Sequence, residues 1–130
     1  MDNKLRIMLV EDHQPTRKEM RSLIEGESDM TVVAESPTGE DAVDKARELH
    51  PDIIIMDILL PGINGIETTR QIRAELPEVK VLALSNHIGD ALVRAILKVG
   101  GLGYVRKRRA FEELVPALRS VAAGKKYIAE

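Results

Sequence analysis

Pro51-Asp52-Ile53-Ile54-Ile55-Met56-Asp57-Ile58-Leu59-Leu60-Pro61-Gly62 is the stretch on which the fold turns. Four apolar residues in a row, three of them β-branched, stand between a proline–aspartate pair and a second aspartate. So short a continuous apolar run fits a strand buried on both faces, as inside a parallel sheet. Pro51 lacks an amide donor and biases its neighbour away from helix, so it ends the helical pattern before it. Asp57 is then left at the carboxyl end of the predicted strand.

Similar runs lie on either side, at Leu5–Val10, Met30–Ala34, Val79–Leu84 and around Tyr104-Val105. The segments between them have helical spacing. Met20, Leu23 and Ile24 share one face, and Ala42, Val43, Ala46 and Leu49 another. Leu92, Ala95, Ile96 and Val99 repeat the spacing, as do Phe111, Leu114, Val115 and Leu118. Pro15 suits a first helical turn, and Thr38 has the look of an N-cap. Pro77 ends a helix, and Gly100-Gly101 and Gly124 suit helix C-termini. The pattern is β-α repeated five times, which predicts an α/β domain with a parallel sheet and helices on both faces.

The 130 residues fit one domain with room for one core. Aromatic residues are 2% of the chain, so the core is aliphatic and no stacking platform for single-stranded nucleic acid is expected. Cysteine is absent, which removes disulfides, thiolate metal sites and a cysteine nucleophile. No apolar run approaches the roughly 20 residues that span a bilayer. The N-terminal stretch meets Glu11-Asp12 too soon for a secretory signal, so a cytoplasmic location is expected. The charge is divided unevenly. Residues 1–65 carry 7 basic and 14 acidic side chains, and residues 66–130 carry 12 and 7.

Open parallel sheets bind ligands beyond the carboxyl ends of their strands. Glu11-Asp12, Asp57, Ser85 and Lys107 all fall at such ends. Each alone has an ordinary reading: a solvated turn, a loop cap, a loop hydroxyl, a surface lysine. Together they make a phosphoryl-transfer set. Crowded carboxylates call for a cation, and oxygen-only ligands with open positions suit Mg²⁺. Lys107 and Ser85 can contact phosphoryl oxygens, and a carboxylate such as Asp57 can be the nucleophile. No P-loop, dinucleotide-binding glycine motif or nucleophile elbow is present. His13, His50 and His87 are too dispersed for zinc, and His13 and His87 read as loop histidines near the mouth of the pocket. A magnesium-dependent phosphoester hydrolase needs an acid two residues after its nucleophile, whereas Asp57 is followed by Ile58 and Leu59.

These residues resemble the receiver domain of two-component response regulators. The resemblance is carried by Ile7–His13, Pro51–Gly65, Val81–Ser85 and Gly103–Lys107, and it spans essentially the whole chain. It implies a flavodoxin-like (βα)5 doubly wound sheet in the order 2-1-3-4-5. It implies that Asp57 is the phosphoacceptor, and that Glu11, Asp12, Asp57 and the backbone carbonyl of Leu59 bind Mg²⁺. Lys107 matches the phosphoryl-contacting lysine, and Ser85 and Tyr104 match the switch pair. In that pattern Ser85 moves toward the phosphoryl group and Tyr104 rotates inward. The fourth helix, fifth strand and fifth helix then form the readout surface. The resemblance implies a sensor histidine kinase or phosphotransfer protein as donor. It also implies a domain that catalyses its own phosphorylation and dephosphorylation without being a conventional turnover enzyme, and a homodimer on phosphorylation is a further expectation.

The ending Phe111–Ile128 resembles the NarL/LuxR-type subfamily, in which a helix-turn-helix output domain follows. Residues 1–130 then form a single receiver domain, and any contact with DNA, and with it control of transcription, runs through a domain outside this chain. No membrane partner is expected. The sequence departs from the pattern at Asn86 and at the cationic run Arg106-Lys107-Arg108-Arg109, which reads either as a solvated loop or as a nucleic-acid patch. These departures leave open a phosphorylation-independent interaction module, or a single-domain protein.

Overall fold

The computed structural model describes residues 3–86 and 89–128. Its strands are β1 (Leu5–Val10), β2 (Met30–Ser36), β3 (Ile53–Asp57), β4 (Lys80–Ser85), β5 (Gly103–Arg106) and β6 (Tyr127–Ile128). Its helices are α1 (Gln14–Glu25), α2 (Gly39–Leu49), α3 (Gly65–Glu75), α4 (Asp90–Lys98) and α5 (Ala110–Ala122). A 3-10 turn at Lys107–Arg109 leads into α5. Every strand pairing is parallel, in the order 2-1-3-4-5-6.

The sheet therefore extends one strand beyond the expected five. Gly124, in the left-handed region at φ 79°, turns the chain out of α5. The Lys125 amide then donates to Ser120, and the Tyr127 amide to the Leu102 carbonyl. Tyr127 and Ile128 come to lie beside Gly103 and Tyr104. Two residues are too few for a strand period to show in the sequence.

Strand alternation divides the core between the two faces of the sheet. Ile7, Leu9, Ile53, Ile55, Leu82, Leu84 and Val105 face α1 and α5, where Met20, Ile24, Leu114, Ala117, Leu118 and Val121 close over them. Met8, Val10, Ile54, Met56 and Val81 face the other way, against Ala42, Val43 and Ala46 of α2 and Ile72 of α3. Ile58, Ala83 and Tyr104 pack with Ile96 of α4 in a smaller cluster. Each fully buried aliphatic side chain contributes about 1.5–3 kcal/mol, and both faces of the central strands draw on this.

Phe111 departs from its expected place on the buried stripe of α5. It is 81% exposed, while Leu114, Ala117, Leu118 and Val121 form the stripe. The first turn of α5 overhangs an open groove of about 550 Å³ between α1 and α5, whose walls include Met20, Leu23, Leu84 and Phe111.

The caps follow the sequence reading. Thr38 accepts from the Asp41 amide at 3.1 Å, and proline occupies the first turn of α1. The order 2-1-3 sends the chain from β1 to one side and from β3 to the other, so a crevice opens between their carboxyl ends. Gly65 sets how closely α3 approaches that crevice: a Cβ there would sit 2.1 Å from the carbonyl oxygen of Asp57. Gly65→Ala is therefore expected to destabilise the domain by about 1–3 kcal/mol through overpacking. Gly26→Ala, where the nearest atoms are 3.5 Å away and φ is −69°, is expected to be neutral or mildly stabilising. Urea denaturation of the two variants checks the contrast.

Candidate phosphoryl-transfer site

Asp57 is the last residue of β3 and is 2% exposed. Glu11 follows β1 and is 1% exposed, with its amide donating to the Ser36 carbonyl at 3.0 Å. Asp12, the next residue, is exposed at the rim. One carboxylate oxygen from each of Glu11, Asp12 and Asp57 lies within 4.8 Å of the others. Lys107, at the start of the 3-10 turn after β5, reaches across the strand ends. Its Nζ lies 2.6 Å from Glu11 Oε1 and 3.1 Å from Asp57 Oδ2.

The two contacts of Lys107 differ in length. It donates a hydrogen bond to Asp57 Oδ2. Toward Glu11 Oε1 the contact is shorter, an ammonium against a buried carboxylate oxygen at 2.6 Å. Glu11 Oε2 accepts weakly from the His13 amide at 3.4 Å, and Asp57 Oδ1 from the Leu59 amide at 3.2 Å.

Burial pushes the Glu11 carboxyl above its ordinary value, and the neighbouring Asp57 carboxylate pushes the same way, against the pull of Lys107. Burial by itself would lower the Lys107 ammonium, but Glu11 and Asp57 outweigh it and hold the group above its usual range. One ammonium does not balance three crowded carboxylates. The surplus negative charge and the all-oxygen donor set of Glu11, Asp12 and Asp57 fit a hard divalent cation such as Mg²⁺.

The remaining expected residues are placed as follows. Ser85 ends β4 and is buried. Register puts Leu84 beside Asp57, so Ser85 stands one residue further toward the crevice. Leu59 is 58% exposed in the loop after β3. Tyr104 is buried at 1% exposure, and its hydroxyl has no hydrogen-bond partner among the described residues. Its ring is inward in this structure. It packs with Ile58, Ala83 and Ile96. His13 is the N-cap of α1, accepting from the Thr16 amide, and His87 lies outside the described residues. Arg108 and Arg109 are exposed on the 3-10 turn, and Arg109 pairs with Glu113 at 3.7 Å. Sequence reasoning missed Arg17, which donates to the Glu11 carbonyl at 2.7 Å. Its position one turn into α1 was the only available signal.

Residues 7–119 match the family described as the response regulator receiver domain. The chain is 39% identical over 127 residues to the transcriptional regulatory protein DegU of Brevibacillus brevis, covering 98% of this chain and 54% of that protein. It is 38% identical over 125 residues to the response regulator UvrY of Escherichia coli, covering 96% and 57%. The chain thus spans a little over half the length of these relatives. Among solved structures, it is similar to a LuxR-family two-component response regulator from an Aurantimonas species. The TM-score is 0.92 at 40% identity, covering 95% of this chain and 89% of that one. The response regulator domain of Thermotoga maritima CheB aligns at a TM-score of 0.85 and 29% identity, covering 92% and 97%.

The charge arrangement makes a signed prediction for the metal-free domain. Lys107→Met is expected to destabilise it at pH 7.5, because two buried carboxylates lose their shared cation. Asp57→Asn is expected to stabilise it by relieving repulsion. A carboxyl whose folded pKa is raised favours folding when protonated. Its contribution is complete below the unfolded value and is lost as pH rises through the folded one. The Lys107→Met deficit is therefore expected to shrink from pH 7.5 toward pH 4.5, measured by urea denaturation in chelator.

Proposed function

Because this chain belongs to the response regulator receiver family, with NarL/LuxR-family regulators as its homologues, we propose that it accepts a phosphoryl group on Asp57 in a magnesium-dependent reaction. The observation that carries the reading is the convergence of Glu11, Asp12, Asp57 and Lys107 from three strand ends. Glu11, Asp12, Asp57 and the Leu59 carbonyl would hold the Mg²⁺, which when bound supplies positive charge to the phosphoryl oxygens and screens the carboxylates from one another.

Asp57 attacks phosphorus in line through a carboxylate oxygen. The bond from phosphorus to the donor nitrogen breaks, and that nitrogen keeps the electron pair. Lys107, already bonded to Asp57 Oδ2, turns its ammonium to a phosphoryl oxygen as negative charge gathers there. The Ser85 hydroxyl donates to a second oxygen. Water attack on the acyl phosphate reverses the state. Such self-modification is not conventional turnover.

The donor is a sensor histidine kinase or phosphotransfer protein. Lys107 stands in the wall of the groove between α1 and α5, so a donor seated there is beside the acceptor. The phosphorylated domain signals through α4, β5 and α5, with homodimerisation as one route, and controls transcription through a DNA-binding domain outside this chain. Among the described residues no helix is long and apolar enough to cross a membrane, and the proposed setting is the cytoplasm. Arg108 belongs to the solvated rim of the groove, and Arg109 is exposed beside it and paired with Glu113. A second reading, a phosphorylation-independent interaction module, rests on the departures from the family pattern at Asn86, Arg108 and Arg109.

Acetyl phosphate with Mg²⁺ is expected to add the mass of one phosphoryl group to the intact protein. Asp57→Asn, or chelator, is expected to abolish the adduct. Unchanged labelling of Asp57→Asn would sink the assignment, and no adduct from any small phosphodonor would favour the interaction module. Mg²⁺ alone is expected to raise the thermal midpoint of the wild-type domain by mass action, and to raise that of Asp12→Asn much less. Calorimetry with and without metal reads the difference.

A further inference from the structure

The proposed metal ligands Glu11 and Asp12 stand on backbone that has just left the sheet, and the structure shows what holds it there. β1 ends at Val10. The Glu11 amide still reaches the Ser36 carbonyl, but its own carbonyl is taken by a side chain. Arg17 Nη1 donates to Glu11 O at 2.7 Å. The same guanidinium donates from Nε to Glu35 Oε1 at 2.9 Å, and Arg21 holds the other oxygen of Glu35. Arg17 is 18% exposed. Its own position is set by the start of α1, where the Arg17 amide donates to the carbonyl of the capping residue His13 at 3.0 Å.

We propose that Arg17 is a positioning residue for the cation and phosphoryl-transfer site, its guanidinium fork fixing the Glu11–Asp12 peptide while Glu35 braces the fork. The Glu11 carbonyl and the Asp12 amide belong to one planar unit. Anchoring that carbonyl therefore sets the direction in which Asp12 leaves Glu11, and with it where the two carboxylates stand relative to Asp57. A guanidinium suits the task because one rigid plane serves two acceptors at once, which a lysine ammonium on a flexible stem does not reproduce. Partners behind metal ligands typically govern affinity by about 10- to 100-fold.

Charge and position predict opposite signs here. Arg17 is a cation close to a proposed cation site, so by charge alone its loss would tighten Mg²⁺ binding. By position its loss loosens binding. This inference rests on the magnesium reading above, so one arm of the test avoids the metal.

Mg²⁺ is titrated into metal-free protein and followed by thermal shift. Separately, amide exchange at Glu11 and His13 is measured without metal, with Leu114 and Leu118 in α5 as reference. Arg17→Met is expected to raise the half-saturating Mg²⁺ concentration by about 10-fold. It is also expected to speed exchange at Glu11 and His13 while leaving α5 unchanged. Arg17→Lys keeps the charge without the fork and is expected to recover only part of the loss. Tighter Mg²⁺ binding in Arg17→Met, unchanged exchange at Glu11 and His13, or full recovery by Arg17→Lys overturns the proposal. If Arg17→Met does not fold, Glu35→Gln removes the brace and is expected to speed the same two amides; unchanged exchange there overturns it equally. A wild-type protein with no response to Mg²⁺ would instead overturn the metal reading, leaving the exchange arm to decide the role of Arg17.

Discussion

Glu11 and Asp57 bury two carboxylates at neighbouring strand ends, and the Lys107 ammonium is the cation that touches both. Burying like charges side by side is costly, and a partner that holds them can be worth more than any one aliphatic contact. Much of the architecture serves this pairing. The parallel register of β1, β3, β4 and β5 brings the carboxyl ends of all four strands to one edge. The 3-10 turn after β5 starts at Lys107 itself, so the residue that crosses the crevice is also the one that redirects the chain into α5. Gly65 lets α3 start against the Asp57 carbonyl, and Arg17 anchors the Glu11 carbonyl from the opposite side.

The pairing is also incomplete. One ammonium faces three acids. A site with excess negative charge is suited to exchange partners. A divalent cation can take up the carboxylates while the ammonium turns to a phosphoryl group. The unbalanced charge of the cluster is what leaves it capacity for a ligand, since groups that fully satisfied one another would have none left.

The sequence made the fold legible because the strands are buried on both faces. Ile53–Met56 has no polar residue to blur it, and the caps at Thr38 and Pro15 mark their helices by local chemistry alone. The four residues of the cluster were legible for a similar reason, since each lies at or just past the carboxyl end of a strand. What escaped lies where tertiary context outweighs local pattern. β6 is two residues held by backbone bonds to Leu102 and by register with β5, and carries no period of its own. Phe111 has the spacing of a core residue, but its turn projects past the sheet into the groove beside α1. Tyr104 was legible as a β5 residue, whereas its inward ring depends on the space left by Ile58, Ala83 and Ile96. Arg17 reads as one more helical cation, because its two acceptors come from β2 and from the end of β1.

If this cluster makes Asp57 the nucleophile among the acids at the crevice, reductive trapping reads it out directly. After treatment with a small phosphodonor and Mg²⁺, borohydride converts an aspartyl phosphate to homoserine, and peptide mass spectrometry locates the converted residue. Homoserine is expected at position 57, with Asp12 and Asp52 intact. Conversion at Asp12 or Asp52 with Asp57 untouched would contradict it.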